Sequence, residues 1–329
     1  MPLIADFPHL GSLTTEGGFR SLPQTTDGTF TAGSNGVHAV AATGDRKVEF
    51  VAMDDRTLAH VRSDLGYPAY YPVPPVRRDN PVRAVLMDLD GTTIRSESFW
   101  IWIIEKTTAG LLGDAAFRLE EEDMAHVSGH SVSEHLSYCL RKYCPSRTVE
   151  EARTEYFFHT HHEMAEIMAG RGREGAFTPT PGIKEFLLAL KEHGVKIALV
   201  TSGLYEKAWP EVLNGFAALG LGEPTKFYDA IITAGFPLRA GSAGTLGELS
   251  PKPHPWLYAE AGRVGLGIPF AERHHVVGIE DSGAGVCSVR LAGYSVIGIE
   301  GGNIHESGTK ELCDVVLPDF ASILREIVR

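Results

Sequence analysis

The chain has 329 residues, 43% of them apolar and 22% charged, and carries a formal net charge of −12. That length accommodates two domains, or one domain with a large insertion, in an ordinary globular protein. The negative charge argues against a general nucleic-acid or anionic-membrane surface, and no apolar stretch approaches the length that spans a bilayer.

Met1-Pro2-Leu3-Ile4-Ala5-Asp6 lacks the charged start and apolar core of a secretion signal, so the expected location is cytoplasmic. Cys139, Cys144, Cys287 and Cys313 form neither a disulfide framework nor a Cys-x-x-Cys pair, and reduced thiols are expected.

Residues 1–81 are rich in glycine, proline and threonine and read as an N-terminal extension. Val37–Thr43 and Lys47–Met53 flank Gly44-Asp45-Arg46 and predict a β-hairpin. Asp54 or Asp55 caps an expected short helix carrying Leu58, Val61 and Leu65. Tyr67–Pro81 holds five prolines and predicts an extended connector, neither strand nor helix.

Val85-Leu86-Met87 then reads as a buried parallel strand that ends abruptly in Asp88-Leu89-Asp90-Gly91-Thr92-Thr93. Ser98 to about Phe177 has helical spacing, with Trp100, Ile103 and Ile104 on one face and a long helix over Val149–Met168. Gly170–Pro181 is the return linker.

Thr180-Pro181-Gly182 predicts a helix start, with a capping hydroxyl and a proline at the first position. Ile183, Phe186, Leu187 and Leu190 form its buried stripe and Gly194 its end. Strands are expected at Val195–Val200, Ala230–Thr233, Val276–Ile279, Val296–Ile299 and Val315–Leu317. The alternation implies an α/β fold with a doubly wound parallel sheet.

Several strand ends carry chemistry. Asp88 and Asp90 leave a strand at its C-terminal end, where open α/β sheets bind ligands. Two crowded carboxylates repel unless a divalent cation neutralises them, and oxygen-only ligands suit Mg2+. Downstream come Thr201-Ser202-Gly203, then Ser250-Pro251-Lys252-Pro253-His254-Pro255, then Glu280-Asp281-Ser282-Gly283.

In this order the four motifs resemble the signatures of the haloacid dehalogenase (HAD) superfamily, over about residues 82–329. The resemblance implies a HAD-like Rossmannoid core (82–97 and 178–329) interrupted by an all-helical C1-type cap (98–177). It implies that Asp88 is the nucleophile and forms an aspartyl-phosphate, with Asp90 as general acid and base. Mg2+ would be held by Asp88, the Asp90 carbonyl and Asp281, with Glu280 as an outer ligand. Thr201 and Lys252 would bind the phosphoryl group, aided by Gly91, Thr92, Ser202, Gly203 and Ser282. The Lys252–Pro253 peptide bond is expected to be cis.

Asp90 favours oxygen leaving groups, hence a phosphatase of small phosphorylated metabolites, with no nucleic-acid or membrane partner. The alternative is a phosphomutase, since the Glu-Asp-Ser signature and the helical cap resemble the β-phosphoglucomutase-like branch. Trp100, however, stands where those mutases carry a hinge histidine, and Gly129-His130-Ser131 continues with Val132 where they carry a cap arginine. A non-catalytic binding scaffold is the rival from another class.

His130, Ser131 and His135 are candidate substrate contacts from the cap. His159, His161, His162 and Glu166 lack a third ligand at a recognised zinc spacing. Gly241–Gly247 lacks the ending of a nucleotide P-loop and reads equally as a mobile loop near the site or as a plain solvated loop.

Overall fold

The computed structural model describes residues 3–62, 68–127, 132–235 and 249–328. The chain divides into two compact units, Met1–Thr93 with Pro181–Leu204 and Thr225–Arg329, and Ile94–Thr180 with Tyr205–Pro224.

The first unit opens with an antiparallel pair, β1 (Leu3–Phe7) and β2 (Gly11–Thr14). A five-stranded antiparallel meander follows: β3 (Arg20–Leu22), β4 (Val37–Ala42), β5 (Val48–Met53), β6 (Thr57–Val61) and β7 (Ala69–Pro72). The expected hairpin is β4–β5. The expected helix from Asp54 is instead strand β6, and the expected connector contains strand β7. Leu65 lies outside the described residues.

Leu58 and Val61 sit three apart, which suits a helix face, but Thr57, Ala59 and Val61 alternate with Leu58 and are buried against β5. Pro72 is tolerated because β7 is an edge strand.

Period-two alternation gives the meander two apolar faces. Ala41, Val48, Phe50, Ala59 and Val61 join one continuous core with Ala84, Leu86, Val276, Val286 and Tyr294, together with Phe7, Leu13 and Phe19. Val37, Val40 and Val51 form a second cluster with Phe30 and Leu58 on the other side. The extension is thus packed on the α/β core and shares its interior.

The chain continues through β8 (Ala84–Asp88) and the two-residue β9 (Ile94–Arg95) into α1 (Glu97–Leu112), α2 (Met124–Val127), α3 (Val132–Tyr143) and α4 (Val149–Met168). α4 begins with a reciprocal capping box between Thr148 and Glu151. β10 (Thr178–Pro179) pairs with β9.

After β10 come α5 (Ile183–Glu192), β11 (Lys196–Leu204), α6 (Tyr205–Leu219), α7 (Pro224–Phe227) and β12 (Ala230–Gly235). α8 (Trp256–Glu260), β13 (Val276–Glu280), α9 (Gly283–Ala292), β14 (Ser295–Ile299), β15 (Val315–Leu317) and α10 (Phe320–Ile327) complete the fold.

α5 departs from its expected start. Gly182 occupies the N-cap position with φ 80° and no side-chain cap, so Thr180 is not the cap and Pro181 is not the first helical residue. A left-handed residue at 182 breaks the helical run that a Thr180 cap requires. α6, outside the expected 98–177 block, groups with the helical unit.

The core sheet is six-stranded and parallel, in the order β12-β11-β8-β13-β14-β15. From β8 the chain builds outward on one side through β11 and β12, then on the other through β13, β14 and β15. β8 therefore lies at the topological switch point, where α/β sheets open a crevice beyond their strand ends. Among the described residues no helix is long and apolar enough to cross a membrane.

Candidate active site

Three adjacent parallel strands bring the predicted acids and hydroxyls to one edge. β8 is buried along its whole length and terminates in Asp88, 4% exposed. The Thr93 hydroxyl donates to the Asp88 carbonyl (2.5 Å) and its N–H to the Leu89 carbonyl (3.0 Å), closing a tight turn around Asp90. Gly91 in that turn has φ 85°, and a Cβ there would lie 2.2 Å from Asp281 Oδ2. Only glycine allows Asp281 to stand so near the turn.

β11 runs past the expected end at Val200 to Leu204, with an irregularity between Thr201 and Leu204 where it leaves register with β12. The buried Thr201 hydroxyl donates to Asp90 Oδ2 (3.1 Å) and accepts from the Gly203 N–H (2.9 Å). Ser202 Oγ accepts the Lys252 backbone N–H (3.1 Å), tying the lysine loop to the β11 end. The Lys252–Pro253 peptide bond is cis, as the resemblance implied.

The Lys252 ammonium donates to Asp88 Oδ1 and to Glu280 Oε1 (2.7 Å), at the ends of β8 and β13. Burial opposes the Lys252 charge, but Asp88 and Glu280 outweigh it and raise its pKa. Glu280 is fully buried, with further donors at both oxygens: Tyr258 OH to Oε1 (2.5 Å) and Ser282 Oγ to Oε2 (3.0 Å). Burial pushes the Tyr258 pKa well up, and Glu280 and Asp88 add to it, so the phenol stays a donor.

Asp281 accepts from the Thr92 hydroxyl (3.2 Å). Burial pushes the Asp281 carboxyl up to about 7, with Glu280 adding repulsion and Lys252 and Thr92 opposing. Burial likewise raises Asp88 well above the usual carboxylate range; Glu280, Asp281 and Asp90 add to that and Lys252 opposes it.

One carboxylate oxygen each from Asp88, Glu280 and Asp281 lies within 4.8 Å of the others. Three buried acids around one ammonium are short of positive charge, and hard oxygen donors of this kind fit Mg2+.

Two expected phosphate contacts have other work. The Thr92 side chain is fully buried and its hydroxyl is directed to Asp281. The Ser282 hydroxyl is the N-cap of α9, accepting from the Gly285 N–H (3.1 Å) while donating to Glu280. His130, Ser131 and Gly241–Gly247 lie outside the described residues. Glu166 of the histidine-rich helix is held by Arg171 at 2.8 and 3.0 Å.

Residues 82–293 match the family model of the haloacid dehalogenase-like hydrolases. The chain belongs to that family. No curated protein matches it. Among solved structures it resembles CbbY from Rhodobacter sphaeroides in complex with phosphate: 21% identity, 74% of this chain and 96% of that one covered, TM-score 0.51. A mutant CbbY in complex with xylulose-(1,5)bisphosphate is 22% identical over 73% of this chain and 95% of that one, TM-score 0.51. A predicted phosphoglycolate phosphatase from Haemophilus somnus is 18% identical over 75% and 98%, TM-score 0.55. At these identities the likeness is one of fold.

Sequence reasoning about this HAD hydrolase missed Tyr258, Gly302 and Asn303. Tyr258 lies in no motif, and only the fold brings it to Glu280. A Cβ at Gly302 would lie 2.2 Å from the Asp281 carbonyl, and Asn303 Oδ1 accepts the Gly283 N–H (2.8 Å). Gly301-Gly302-Asn303 was visible as a glycine pair after β14, which was its one signal.

Proposed function

We propose that the protein is a magnesium-dependent phosphatase that hydrolyses small phosphomonoesters through an aspartyl-phosphate on Asp88. The observation that carries this reading is the Lys252 ammonium bound to both Asp88 and Glu280 at the switch point, with Asp90 and Thr201 hydrogen-bonded beside them.

Asp88, the Asp90 carbonyl and Asp281 would hold the metal, with Glu280 outside them. When bound, Mg2+ supplies the positive charge that keeps the Asp88 and Asp281 carboxylates ionised and draws charge off the phosphoryl oxygens. An Asp88 carboxylate oxygen attacks phosphorus in line, and the P–O bond to the alkoxide breaks. Asp90 gives its proton to that alkoxide, then takes one from the water that attacks the aspartyl-phosphate. This releases inorganic phosphate and restores both acids.

Lys252 offsets carboxylate–phosphate repulsion during the approach. N–H groups near Gly91, Ser202 and Gly203 are donors for the phosphoryl oxygens. Thr201 orients Asp90 and is itself at the phosphoryl end of the site.

Release of phosphate, in preference to its transfer back to the product, is favoured by Trp100. This residue is buried against Phe99 and Phe177, with the Lys207 ammonium 3.9 Å from its ring centre, and it supplies no acid–base group. The paired acids also favour catalysis over simple binding, which has no use for Asp90 as a proton donor.

The phosphate and sugar bisphosphate bound by CbbY make sugar phosphates the first class to try. The test is a screen of sugar phosphates, phosphoglycolate and nucleotides for phosphate release, with Mg2+ and with chelator. Metal-dependent release from one of these classes is expected; a phosphorylated isomer with no free phosphate would make the protein a mutase.

A further inference from the structure

The family match begins at residue 82, yet the sheet before it reaches two loops of the site. Tyr71 on the edge strand β7 places its hydroxyl 2.8 Å from His254 Nδ1. Its ring meets those of His254 and Trp256 edge-on, with centroids 5.8 Å away in each case. His254 is two residues beyond Lys252 and is 1% exposed. Its carbonyl accepts from Ser288 Oγ of α9 (2.6 Å), while its Nε2 is buried without a hydrogen-bond partner. Among the described residues, the orientation of the imidazole therefore depends on the Tyr71 hydroxyl.

A second grip falls on the loop that backs Asp281. The Gly44 N–H donates to the Ser307 carbonyl (2.7 Å), and the Thr14 N–H to Glu311 Oε2 (2.9 Å). A Cβ at Gly18 would lie 2.6 Å from Gly308 Cα, so the two backbones touch. The same loop carries Gly302 and Asn303, which press on Asp281 and hold the Gly283 N–H.

We propose that the N-terminal sheet is a clamp on the catalytic loops, with Tyr71 and His254 as positioning residues that set the Lys252 ammonium on Asp88. The proposal rests on the reading of Lys252 as catalytic. Tyr71 touches no reacting atom; it acts by fixing the backbone from which Lys252 projects.

Full-length wild type, Tyr71→Phe and Tyr70→Phe are compared for p-nitrophenyl phosphate turnover with Mg2+ and for amide hydrogen exchange. Tyr70 is the control: it lies on the same strand, and its hydroxyl bonds Asp27 (2.9 Å). Tyr71→Phe is expected to lower kcat about 10- to 100-fold, the scale of a slightly misplaced reacting group. KM should stay near the wild-type value, and exchange should quicken at Lys252, His254 and Trp256. Tyr70→Phe should leave kcat and the exchange at those three amides as in the wild type.

Unchanged kcat or unchanged exchange in Tyr71→Phe overturns the clamp, as do equal effects from both tyrosines. If the wild type turns over neither p-nitrophenyl phosphate nor any phosphomonoester of the screen, the phosphatase reading falls and the clamp's catalytic role with it. Exchange in the two variants still decides whether Tyr71 holds the loop.

Discussion

At the Lys252 ammonium two buried carboxylates share one positive charge, and each neighbour's role follows from that shortage. Asp88→Asn removes the nucleophile with little change in shape, and phosphate release should vanish while the thermal midpoint stays close to wild type. Asp90→Asn should slow release about 10²- to 10⁴-fold, the scale of general acid–base catalysis. Mg2+ should raise the wild-type thermal midpoint by binding only the folded protein; in Asp281→Asn the magnesium-induced shift should shrink or disappear. Tyr258→Phe leaves Glu280 one donor short and should lower kcat, and steady-state kinetics with the purified variant reads this. Asp88, Asp90, Lys252, Glu280 and Asp281 were legible in the sequence because each lies in a compact motif, most of them directly after an apolar strand. Tyr258, His254 and Asn303 were not, because their roles depend on partners 22, 183 and 20 residues away.

Elements were legible where one kind of burial ran their whole length. β8 and β13 are buried at every residue, and a short continuous apolar run reads as a central parallel strand. β6 carries the buried polar residue His60, whose Nδ1 lies 3.0 Å from the buried Glu49, and this hides its alternation from a sequence reading. β7 was hidden by its flanking prolines.

The α5–β11 junction gives a pH prediction. Asp229 accepts from Lys191 Nζ (2.8 Å) and the Ile197 N–H (2.7 Å). Partial burial pulls its pKa up, but these two donors outweigh it, and the net value lies below the ordinary 3.8. The folded state therefore binds this proton less readily than the unfolded state. The resulting stabilisation is present above about pH 4 and is lost as pH falls through the lowered value. Urea denaturation of wild type and Asp229→Asn should show a gap at neutral pH that closes in acid.

In the whole molecule, the extension and the α/β core share one interior, so neither should melt alone. Phe50, 1% exposed on β5, belongs to the same apolar cluster as Leu86 of β8 and Val286 of α9. Phe50→Ala should cost about 3–5 kcal/mol, and denaturation should still show one cooperative transition for both parts. Separate transitions would mean that the extension is an independent bead.

The reading as a phosphatase rests on a covalent bond between Asp88 and phosphorus, and trapping that bond tests it most directly. The enzyme is quenched with hydroxylamine during turnover of p-nitrophenyl phosphate with Mg2+, and its peptides are examined by mass spectrometry. An aspartyl hydroxamate at Asp88, absent without substrate and absent in Asp88→Asn, is the predicted result. Sustained phosphate release by Asp88→Asn, or turnover of the wild type with no hydroxamate at Asp88, would contradict it.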